Sequence, residues 1–267
     1  MQDLSEHLNF TKEIAFDAGK ILSKHFGNIS SINKKSTSID LVTNADIESE
    51  ALIINSIQKK FPNDSIIAEE SDIKESSSDF KWIIDPLDGT TNFVHNLPIF
   101  AVSIGLQYKN ETVLGVVYNP AADKMFFARK NKGAYLNDKI ISVSSSYTLS
   151  DSLIVTGFPY LQDKKWNDSF SIFKEFYSKT QGVRRLGAAA LDLCFVAMGR
   201  FEVFYEFNLK PWDICAGSII AEEAGALVTD WDGSKYPESG ERIIASNRHV
   251  HKEALKILKK NCFINKS

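Results

Sequence analysis

The sequence predicts a mixed fold, α+β in its first half and α/β in its second, with sheets that are covered by helices. Three patterns predict it: two long helical segments open the chain, antiparallel strands fill residues 101–135, and short strands alternate with helical segments beyond about Ser146. The chain has 267 residues, of which 43% are hydrophobic and 24% charged, as in an ordinary globular protein. We expect one domain over 1–267, with an N-terminal lobe over 1–145 and a C-terminal lobe over 146–267.

Two helices are expected before the first strands. Apolar residues recur on one face from Leu4 to Phe26, and Gly27 stands where a helix C-cap belongs. A second helix should begin at Thr43, because Thr43 and Asp46 form a T-x-x-D capping box, and it should end before Pro62. The apolar face predicted for this second helix consists of Ile47, Ala51, Ile54 and Ile57.

The remaining elements follow from the alternation of apolar runs and turn residues. The predicted strands of the first half are 65–69, 81–84, 101–108, 112–118 and 125–129, the last three forming an antiparallel meander. The predicted strands of the second half are 153–156, 203–205, 227–229 and 243–246. The predicted helices of the second half are 165–177, 187–198, 212–224 and a last one near the C-terminus.

The charge balance argues against partners that need a strong electric field. With 31 basic and 34 acidic residues the formal net charge is -3, so the chain lacks the basic field of non-specific nucleic-acid binding. No apolar run approaches the roughly 18 residues of a spanning helix, and the first residues lack the apolar core of a secretion signal. We expect a soluble, cytoplasmic protein without membrane or nucleic-acid partners. Its cysteines, Cys194, Cys215 and Cys262, form no CxxC pair and are interpreted as reduced thiols, two of them buried.

Acidic residues follow apolar runs at several predicted element ends. Asp85 and Asp88 come after a buried strand, and Gly89 permits a tight turn that directs both carboxylates toward one point. Glu69 ends another apolar run, and Asp213 opens a helix. Carboxylates without histidine or cysteine favour Mg²⁺ or Mn²⁺ over zinc. Each acid also has a purely structural interpretation, as a turn acid, a surface charge or a partner of a helix dipole.

The residues that follow Asp88 are suited to an anion. Gly89, Thr90, Thr91 and Asn92 open a short helical turn whose backbone N–H groups would bind one. A carboxylate-held metal ion beside such a turn indicates a phosphate site. No GxxxxGK[ST] or strand-linked GxGxxG motif occurs, so neither common nucleotide cradle is supported.

Several segments together resemble the inositol monophosphatase family of magnesium-dependent, lithium-sensitive phosphatases. They are DLVTNAD (40–46), AEES (68–71), WIIDPLDGTTNFVHNLP (82–98), RRLGAAALDL (184–193) and KPWDICAGSIIAEEAGALV (210–228). The resemblance covers nearly the whole chain. It implies a single catalytic domain, a layered αβαβα sandwich of the sugar phosphatase type with an antiparallel N-terminal sheet and a mixed C-terminal sheet, and a homodimer.

The resemblance also implies roles for individual residues. The metal ligands for Mg²⁺ would be Glu69, Asp85, the Leu87 carbonyl, Asp88 and Asp213. Thr90 and Asp46 would orient the attacking water, beside Glu69.

Phosphate contacts would come from the backbone amides of Gly89 and Thr90, next to Asp88 and Asp213. Substrate hydroxyls would be bound by Gly187, Ala188, Ala189 and Glu206. Ala188 departs from the family's usual serine or threonine, so a side-chain hydroxyl is lost there.

The function that the resemblance implies is Mg²⁺-dependent hydrolysis of a phosphate monoester. The leading candidate for this substrate is myo-inositol 1-phosphate. Alternatives among phosphatases are fructose 1,6-bisphosphate, adenosine 3',5'-bisphosphate and histidinol phosphate as substrates, although the TTNF at 90–93 resembles the inositol monophosphatase branch. A different class is a regulatory partner of the transcription machinery, for which an intact set of metal ligands is unnecessary.

A few further polar residues have two interpretations. His249 and His251 are expected to be surface histidines, since no acid accompanies them in the pattern. Arg184 and Arg185 could hold a second phosphate or contact another subunit, but two adjacent arginines more often form a solvated edge. Lys210 is a weaker candidate of the same kind.

Overall fold

The computed structural model describes residues 3–29, 32–34, 41–71, 76–159, 163–237 and 239–262, so Asp40 of the DLVTNAD segment lies outside it. In the described part the helices are α1 Ser5–His25, α2 Asn44–Lys60, α3 Thr90–Val94, α4 Lys164–Lys179, α5 Ala189–Ala197, α6 Pro211–Glu223 and α7 His251–Cys262. The strands of the first half are β1 Ile32–Lys34, β2 Leu41–Thr43, β3 Ser65–Ala68, β4 Phe80–Asp88, β5 Ala101–Tyr108, β6 Glu111–Asn119, β7 Lys124–Arg129, β8 Ala134–Leu136 and β9 Lys139–Ile141. The strands of the second half are β10 Leu153–Thr156, β11 Gly182–Arg184, β12 Val203–Phe207, β13 Leu227–Thr229 and β14 Arg242–Ser246.

Two large sheets and three helical layers alternate. A seven-stranded sheet has the order β3-β4-β5-β6-β7-β8-β9, and a five-stranded sheet has the order β11-β10-β12-β14-β13. Helices α1 and α2 pack on one face of the first sheet, α5 and α6 lie between the two sheets, and α4 and α7 cover the second sheet. The order α-β-α-β-α confirms the predicted layered sandwich. The expectation of a purely antiparallel N-terminal sheet was wrong, because its edge strand β3 pairs parallel to β4.

Helix α2 forms where the sequence predicts it, but the face that it buries differs in part from the predicted apolar face. The capping box of Thr43 and Asp46 is present in full. Ile47, expected inside, is 55% exposed, whereas Ile53 is fully buried. The inward face also carries the polar Asp46, Ser49 and Glu50. The predicted apolar face was therefore right for Ile57, which is fully buried, and wrong for Ile47 and Ala51, because polar side chains of this helix face the interior instead.

Strand β4 is longer than the sequence predicts. The prediction ended it at Ile84, before the acids, but pairing with β5 continues to Asp88. The register shifts between Asp85 and Asp88, where a bulge accommodates Pro86. The bulge ends with Asp85 and Asp88 both buried at the tip of the strand.

Helix α6 approaches the first sheet unusually closely. A β-carbon on Gly105 of β5 would collide with the Cys215 side chain, and one on Gly115 of β6 would lie 2.6 Å from the Ala216 carbonyl oxygen. The two glycines therefore form a groove in which α6 lies. Cys194 and Cys215 are buried, as expected for two of the three cysteines.

The second sheet is mixed, as predicted. The sequence pattern missed its strand β11, and in the first half of the chain it missed β1, β2, β8 and β9. Strand β10 lies between β11 and β12 and is parallel to both. The chain passes from β10 through α4 to β11, and then through α5 to β12 on the other side of β10. The carboxyl ends of these three strands consequently meet beside the point where the strand order reverses, which is where open α/β sheets form crevices.

Candidate active site

A cavity of about 880 Å³ lies where β4 ends, α5 and α6 begin, and β10 and β12 end. Of the residues singled out from the sequence, it is lined by Glu69, Asp85, Leu87, Asp88, Gly89, Thr90, Gly187, Ala188, Ala189, Glu206 and Asp213. Asp46 does not line the cavity but contacts Thr90, which does. The structure therefore brings the predicted set to one place.

Four carboxyl groups converge on one end of this cavity. Asp85 and Asp88 are only 2% and 8% exposed. Burial raises the pKa of Asp85 well above its usual range, and the neighbouring Glu69 carboxylate raises it further. Asp85 also shares a hydrogen bond with the Glu69 side chain. Acids this close and this buried repel one another unless a proton or a cation lies between them.

Asp88 is fixed from the opposite side by a helix. The N–H groups of Ala189 and Ala190, at the start of α5, donate to its two carboxylate oxygens at 3.2 and 2.8 Å. These bonds favour the ionised form, but burial prevails and raises the pKa of Asp88 to about 7. Helix α5 thus connects the second half of the chain to the acidic end of the cavity.

Asp213 reaches the same place from α6. Its Oδ2 accepts a hydrogen bond of 2.6 Å from the Lys210 N–H, so the acid does act at the helix N-terminus. Burial, followed by the field of Glu69, nonetheless raises the pKa of Asp213 well above its usual range. The structural role and a role in the cavity coexist.

The donor set fits a hard divalent cation. Carboxylates and the Leu87 carbonyl are all oxygen ligands, which suit Mg²⁺. Among the described residues, no three histidine, cysteine, aspartate or glutamate side chains are placed so that they could hold a metal ion as they stand. The chemistry of the donors and the raised pKa values of buried acids support the fit, because a bound cation would remove the repulsion between them.

Thr90 and Asp46 form a hydrogen-bonded pair beside the acids. The Thr90 hydroxyl lies 3.3 Å from Asp46 Oδ1 and 3.1 Å from the Leu87 carbonyl oxygen. Asp46 Oδ2 accepts bonds from the Thr43 N–H and hydroxyl at 2.8 and 2.6 Å, so the capping box holds the acid in place. One oxygen of the Asp46 carboxylate thereby caps helix α2, and the other accepts a hydrogen bond from Thr90.

The turn after Asp88 is held in a conformation that requires glycine. Gly89 has φ 90°, and a β-carbon there would lie 2.8 Å from the Ile99 carbonyl oxygen. The Asn92 side-chain amide donates to the carbonyls of Ile99 and Leu186, both at 2.8 Å. Asn92 therefore ties this turn to the segment that carries Gly187, a connection that the sequence did not reveal.

The opposite wall of the cavity comes from the second half of the chain. Glu206 lies against the backbone of Gly157, where a β-carbon would collide with its carboxylate. Burial raises the pKa of Glu206 to about 8, against the opposing influence of Arg185. Arg185 lines the cavity, whereas Arg184 does not. Both arginines are exposed, as a solvated edge predicts, but Arg185 also lines the cavity because it directly follows the parallel strand β11.

Ala188, His249 and His251 are the remaining residues whose positions can be compared with the sequence-based expectations. Ala188 is 1% exposed and packs against the Gly89 turn, where the resemblance implies a serine or threonine. His251 is buried, with its ring nitrogens 2.7 Å from the Ser246 hydroxyl and 3.1 Å from that of Thr229, so its predicted place on the surface was wrong. His249 is exposed, as expected.

No helix of the described residues is long and apolar enough to cross a membrane.

Comparisons with known proteins agree with this geometry. Residues 3–262 match the model of the inositol monophosphatase family. The chain is 41% identical over 258 residues to the putative Nus factor SuhB of Neisseria meningitidis serogroup B, covering 96% of this chain and 98% of that protein. It is 41% identical over 252 residues to the inositol-1-monophosphatase of a Synechocystis strain, covering 94% and 88%. A crystal structure of the extragenic suppressor protein suhB from Bartonella henselae superposes with a TM-score of 0.92 at 37% identity, covering 96% and 99%.

Proposed function

The chain belongs to the inositol monophosphatase family, and from that premise we propose that it hydrolyses a small phosphate monoester with Mg²⁺, myo-inositol 1-phosphate above all. One observation carries the proposal: four acids and the Leu87 carbonyl meet at the end of a single cavity, directly beside the glycine turn at Gly89. We extend the proposal to a homodimer, as the resemblance implies, and to a cytoplasmic location, as the sequence analysis leads us to expect.

In this proposal the acids bind the metal ion and the Gly89 turn binds the phosphate. Glu69, Asp85, the Leu87 carbonyl, Asp88 and Asp213 would hold Mg²⁺. Bound there, Mg²⁺ supplies stabilisation of the negative charge that develops on the phosphoryl group and its leaving oxygen.

The phosphate itself would lie against the turn at Gly89 and Thr90. The backbone there is held by its left-handed glycine and by the Asn92 bonds, so its amides are already oriented before substrate arrives. Orientation that is fixed in advance costs no reorganisation during the reaction.

Thr90 and Asp46 would orient the attacking water. The Thr90 proton is directed toward Asp46 Oδ1 or the Leu87 carbonyl, so the lone pairs of its oxygen remain available to accept a hydrogen from water. A positioned proton acceptor contributes typically about 10² to 10⁴-fold. Phosphate monoester hydrolysis can require up to about 10²¹-fold acceleration. Charge stabilisation and positioning by the acid and turn residues must therefore provide most of the rest.

A phosphate-release assay tests the proposal. The substrates are inositol 1-phosphate, fructose 1,6-bisphosphate, adenosine 3',5'-bisphosphate and histidinol phosphate, each with Mg²⁺, with EDTA and with Li⁺ added to Mg²⁺. We expect release with Mg²⁺ that EDTA abolishes and Li⁺ inhibits, fastest with inositol 1-phosphate. Release that survived EDTA would refute the metal requirement, and a preference for another ester would refute only the choice of substrate.

Two matched variants sharpen this assay. Asp88→Asn removes a charged ligand but keeps the shape, and turnover should fall at least about 10²-fold if a proposed ligand is lost. Asp123→Asn makes the same chemical change at an exposed turn with φ 49°, which asparagine tolerates, and it should leave turnover unchanged.

A second candidate function rests on one comparison, the similarity to a protein named putative Nus factor SuhB. Such a role would be the binding of transcription proteins, for which phosphate release is unnecessary. Capture of RNA polymerase components by wild-type protein and by the inactive Asp88→Asn variant would separate the two functions. Equal capture by both would assign binding to a surface that does not depend on catalysis.

A further inference from the structure

A second, smaller cavity lies between helices α4 and α7, on the outer side of the second sheet. It is a groove of about 490 Å³, and four lysines line it: Lys179, Lys252, Lys256 and Lys260. Helix α4 leads from the carboxyl end of β10 back to the start of the parallel strand β11. The groove, at the last turns of α4, therefore lies at the opposite end of these strands from the active-site cavity, and the two cavities share no lining residue.

Three of the lysines stand in a row along this lysine groove. Lys252, Lys256 and Lys260 are spaced four residues apart on α7, so each lies about 6 Å along the helix axis from the next. Like charges at this spacing repel each other and destabilise a helix. The row is thus unfavourable for the fold by itself, and an anion bound along it would remove the repulsion.

The chain itself neutralises only one end of the row. Glu175 of α4 accepts hydrogen bonds from Lys179 at 3.0 Å, from Lys260 at 3.2 Å and from the Asn261 side chain at 2.8 Å. Burial alone would raise the pKa of Glu175, but these bonds prevail and lower it to about 2. The Glu175 carboxylate therefore stays ionised and joins α4 to α7 at this end of the groove.

The other end of the row keeps its positive charge. Lys252 and Lys256 are exposed, and neither forms an ion pair with another described residue, although Glu253 lines the same groove. Lys252 also lies in the first turn of α7, where the helix dipole disfavours a cation, whereas Lys260 lies favourably in the last turn. Neither ion pairing nor the helix dipole accounts for the two free cations that face the groove.

The lining of the groove favours a chain of phosphate groups over other anions. Its volume is that of a small-ligand pocket, about 300 to 1,000 Å³. No phenylalanine, tyrosine or tryptophan of the described residues lines it, although single-stranded nucleic acids usually need such rings for stacking. Ile257 is the one apolar residue among its described lining residues, so an acidic peptide would bury little apolar surface there. A row of cations about 12 Å long suits several linked phosphates better than a single one.

We propose that the lysine groove is a second anion site, which binds a short linear polyphosphate along Lys252 and Lys256, with Lys179 on the facing helix. This site is independent of the proposed hydrolysis, because it shares no residue with the active-site cavity. The bound anion would connect α4 to α7 at the end that Glu175 leaves open, so it should also stabilise the folded protein.

Calorimetric titration in EDTA tests the site, because without a metal ion the acidic cavity repels phosphate. Inorganic triphosphate and orthophosphate are each titrated into the full-length wild-type protein at low salt. We expect triphosphate to bind at least about tenfold more tightly than orthophosphate. Its affinity should fall as salt is added, since the lysines are exposed and their charges are screened.

Two double variants with the same change in net charge locate the binding. Lys252→Gln combined with Lys256→Gln should weaken triphosphate binding at least about tenfold. Lys174→Gln combined with Lys259→Gln replaces exposed lysines of the same two helices outside the groove, and it should bind triphosphate as the wild type does. Thermal scans without ligand should show the groove variant to be at least as stable as the wild type, because the substitution removes like-charge repulsion.

Four results would overturn the site: no binding of triphosphate by the wild type, unchanged affinity in the groove variant, an equal loss in the control variant, or a lower unfolding midpoint of the groove variant. A uridine RNA strand and a glutamate peptide of matched charge test the class of ligand. Tighter binding of either one than of triphosphate would overturn the polyphosphate assignment. Results of the phosphate-release assay bear only on the proposed function, so the two proposals fail separately.

Discussion

Magnesium affinity should depend on pH through Asp88, whose pKa burial raises to about 7. A carboxyl group must be ionised to bind the cation. Between pH 6 and pH 8 the ionised fraction of a group with this pKa rises from about one tenth to about nine tenths. Magnesium should therefore bind about tenfold more tightly at pH 8, which corresponds to about 1.4 kcal/mol. Asp85 and Asp213, with pKa values raised in the same direction, increase this difference.

The stability of the metal-free protein should change in the opposite sense. A carboxyl group whose pKa is higher in the folded state holds more protons there than in the unfolded chain, so stability falls as pH rises. For Asp88 the loss occurs as pH rises from the usual 3.8 to about 7. The midpoint of thermal unfolding in EDTA should thus be lower at pH 8 than at pH 6, and added Mg²⁺ should raise it more at pH 8.

Calorimetric titration of metal-free protein with Mg²⁺ at pH 6, 7 and 8 measures the affinity, and thermal scans with and without Mg²⁺ measure the stability. In Asp88→Asn, the roughly tenfold difference in magnesium affinity between pH 6 and pH 8 that is due to Asp88 should disappear. Asp123→Asn should keep the full difference. A magnesium dissociation constant that is the same at pH 6 and pH 8 would refute the reasoning, because it would mean that the buried acids near the cavity are ionised throughout or do not bind the cation.

Three further substitutions test the turn and the water-orienting pair. Thr90→Ala should lower kcat about 10²-fold or more, whereas Thr90→Ser, which keeps the hydroxyl, should retain most activity; unchanged kcat in the alanine variant would exclude Thr90 from orienting the water. Gly89→Ala should lower the free energy of unfolding by about 1 to 3 kcal/mol in urea titrations, because the left-handed backbone disfavours a β-carbon; wild-type stability would contradict the close approach to Ile99. Asn92→Ala leaves the carbonyls of Ile99 and Leu186 without their buried donor, and it should cost about 1 to 3 kcal/mol and raise KM; a neutral effect on both would show that the tie does not hold the turn.

Local signals in the sequence predicted local structure well. The capping box at Thr43 and Asp46 was confirmed because its bonds join residues three apart, and the same chemistry operates in any fold. The extent of α1 followed from apolar spacing and Gly27 in the same way. The acids at Asp85 and Asp88 were recognisable because they are neighbours in the sequence.

The burial of α2 could not be predicted from periodicity alone. Periodicity assumes that polar residues face water, but here Ser49 donates to the Pro86 carbonyl at 3.0 Å and Glu50 accepts from the Glu70 N–H at 2.9 Å. These polar residues hold the backbone beside the acids. In a helix that supports a polar site, some polar residues face the interior, and apolar residues such as Ile47 are left exposed to solvent.

The second half of the cavity could not be predicted because it depends on topology. Arg185 and Phe158 follow short strands that are far apart in the sequence, and one of these strands, β11, gave no recognisable pattern. Only the parallel pairing of β10 with both neighbours brings the two residues to one crevice. The sequence therefore allowed us to identify the acidic end of the cavity, but not most of the residues at its other end.

The groove that Gly105 and Gly115 form under α6 bears on how the molecule emerges from the ribosome. The strands that contain the glycines are made first, and Cys215 follows Gly115 by roughly one hundred residues, which at about 5 to 20 residues per second takes on the order of 5 to 20 s. Throughout that interval the face of the nascent sheet that awaits α6 is bare, and Asp213 has yet to be added. The fourth acid of the cluster is thus added late in translation, long after Glu69, Asp85 and Asp88 have been synthesised.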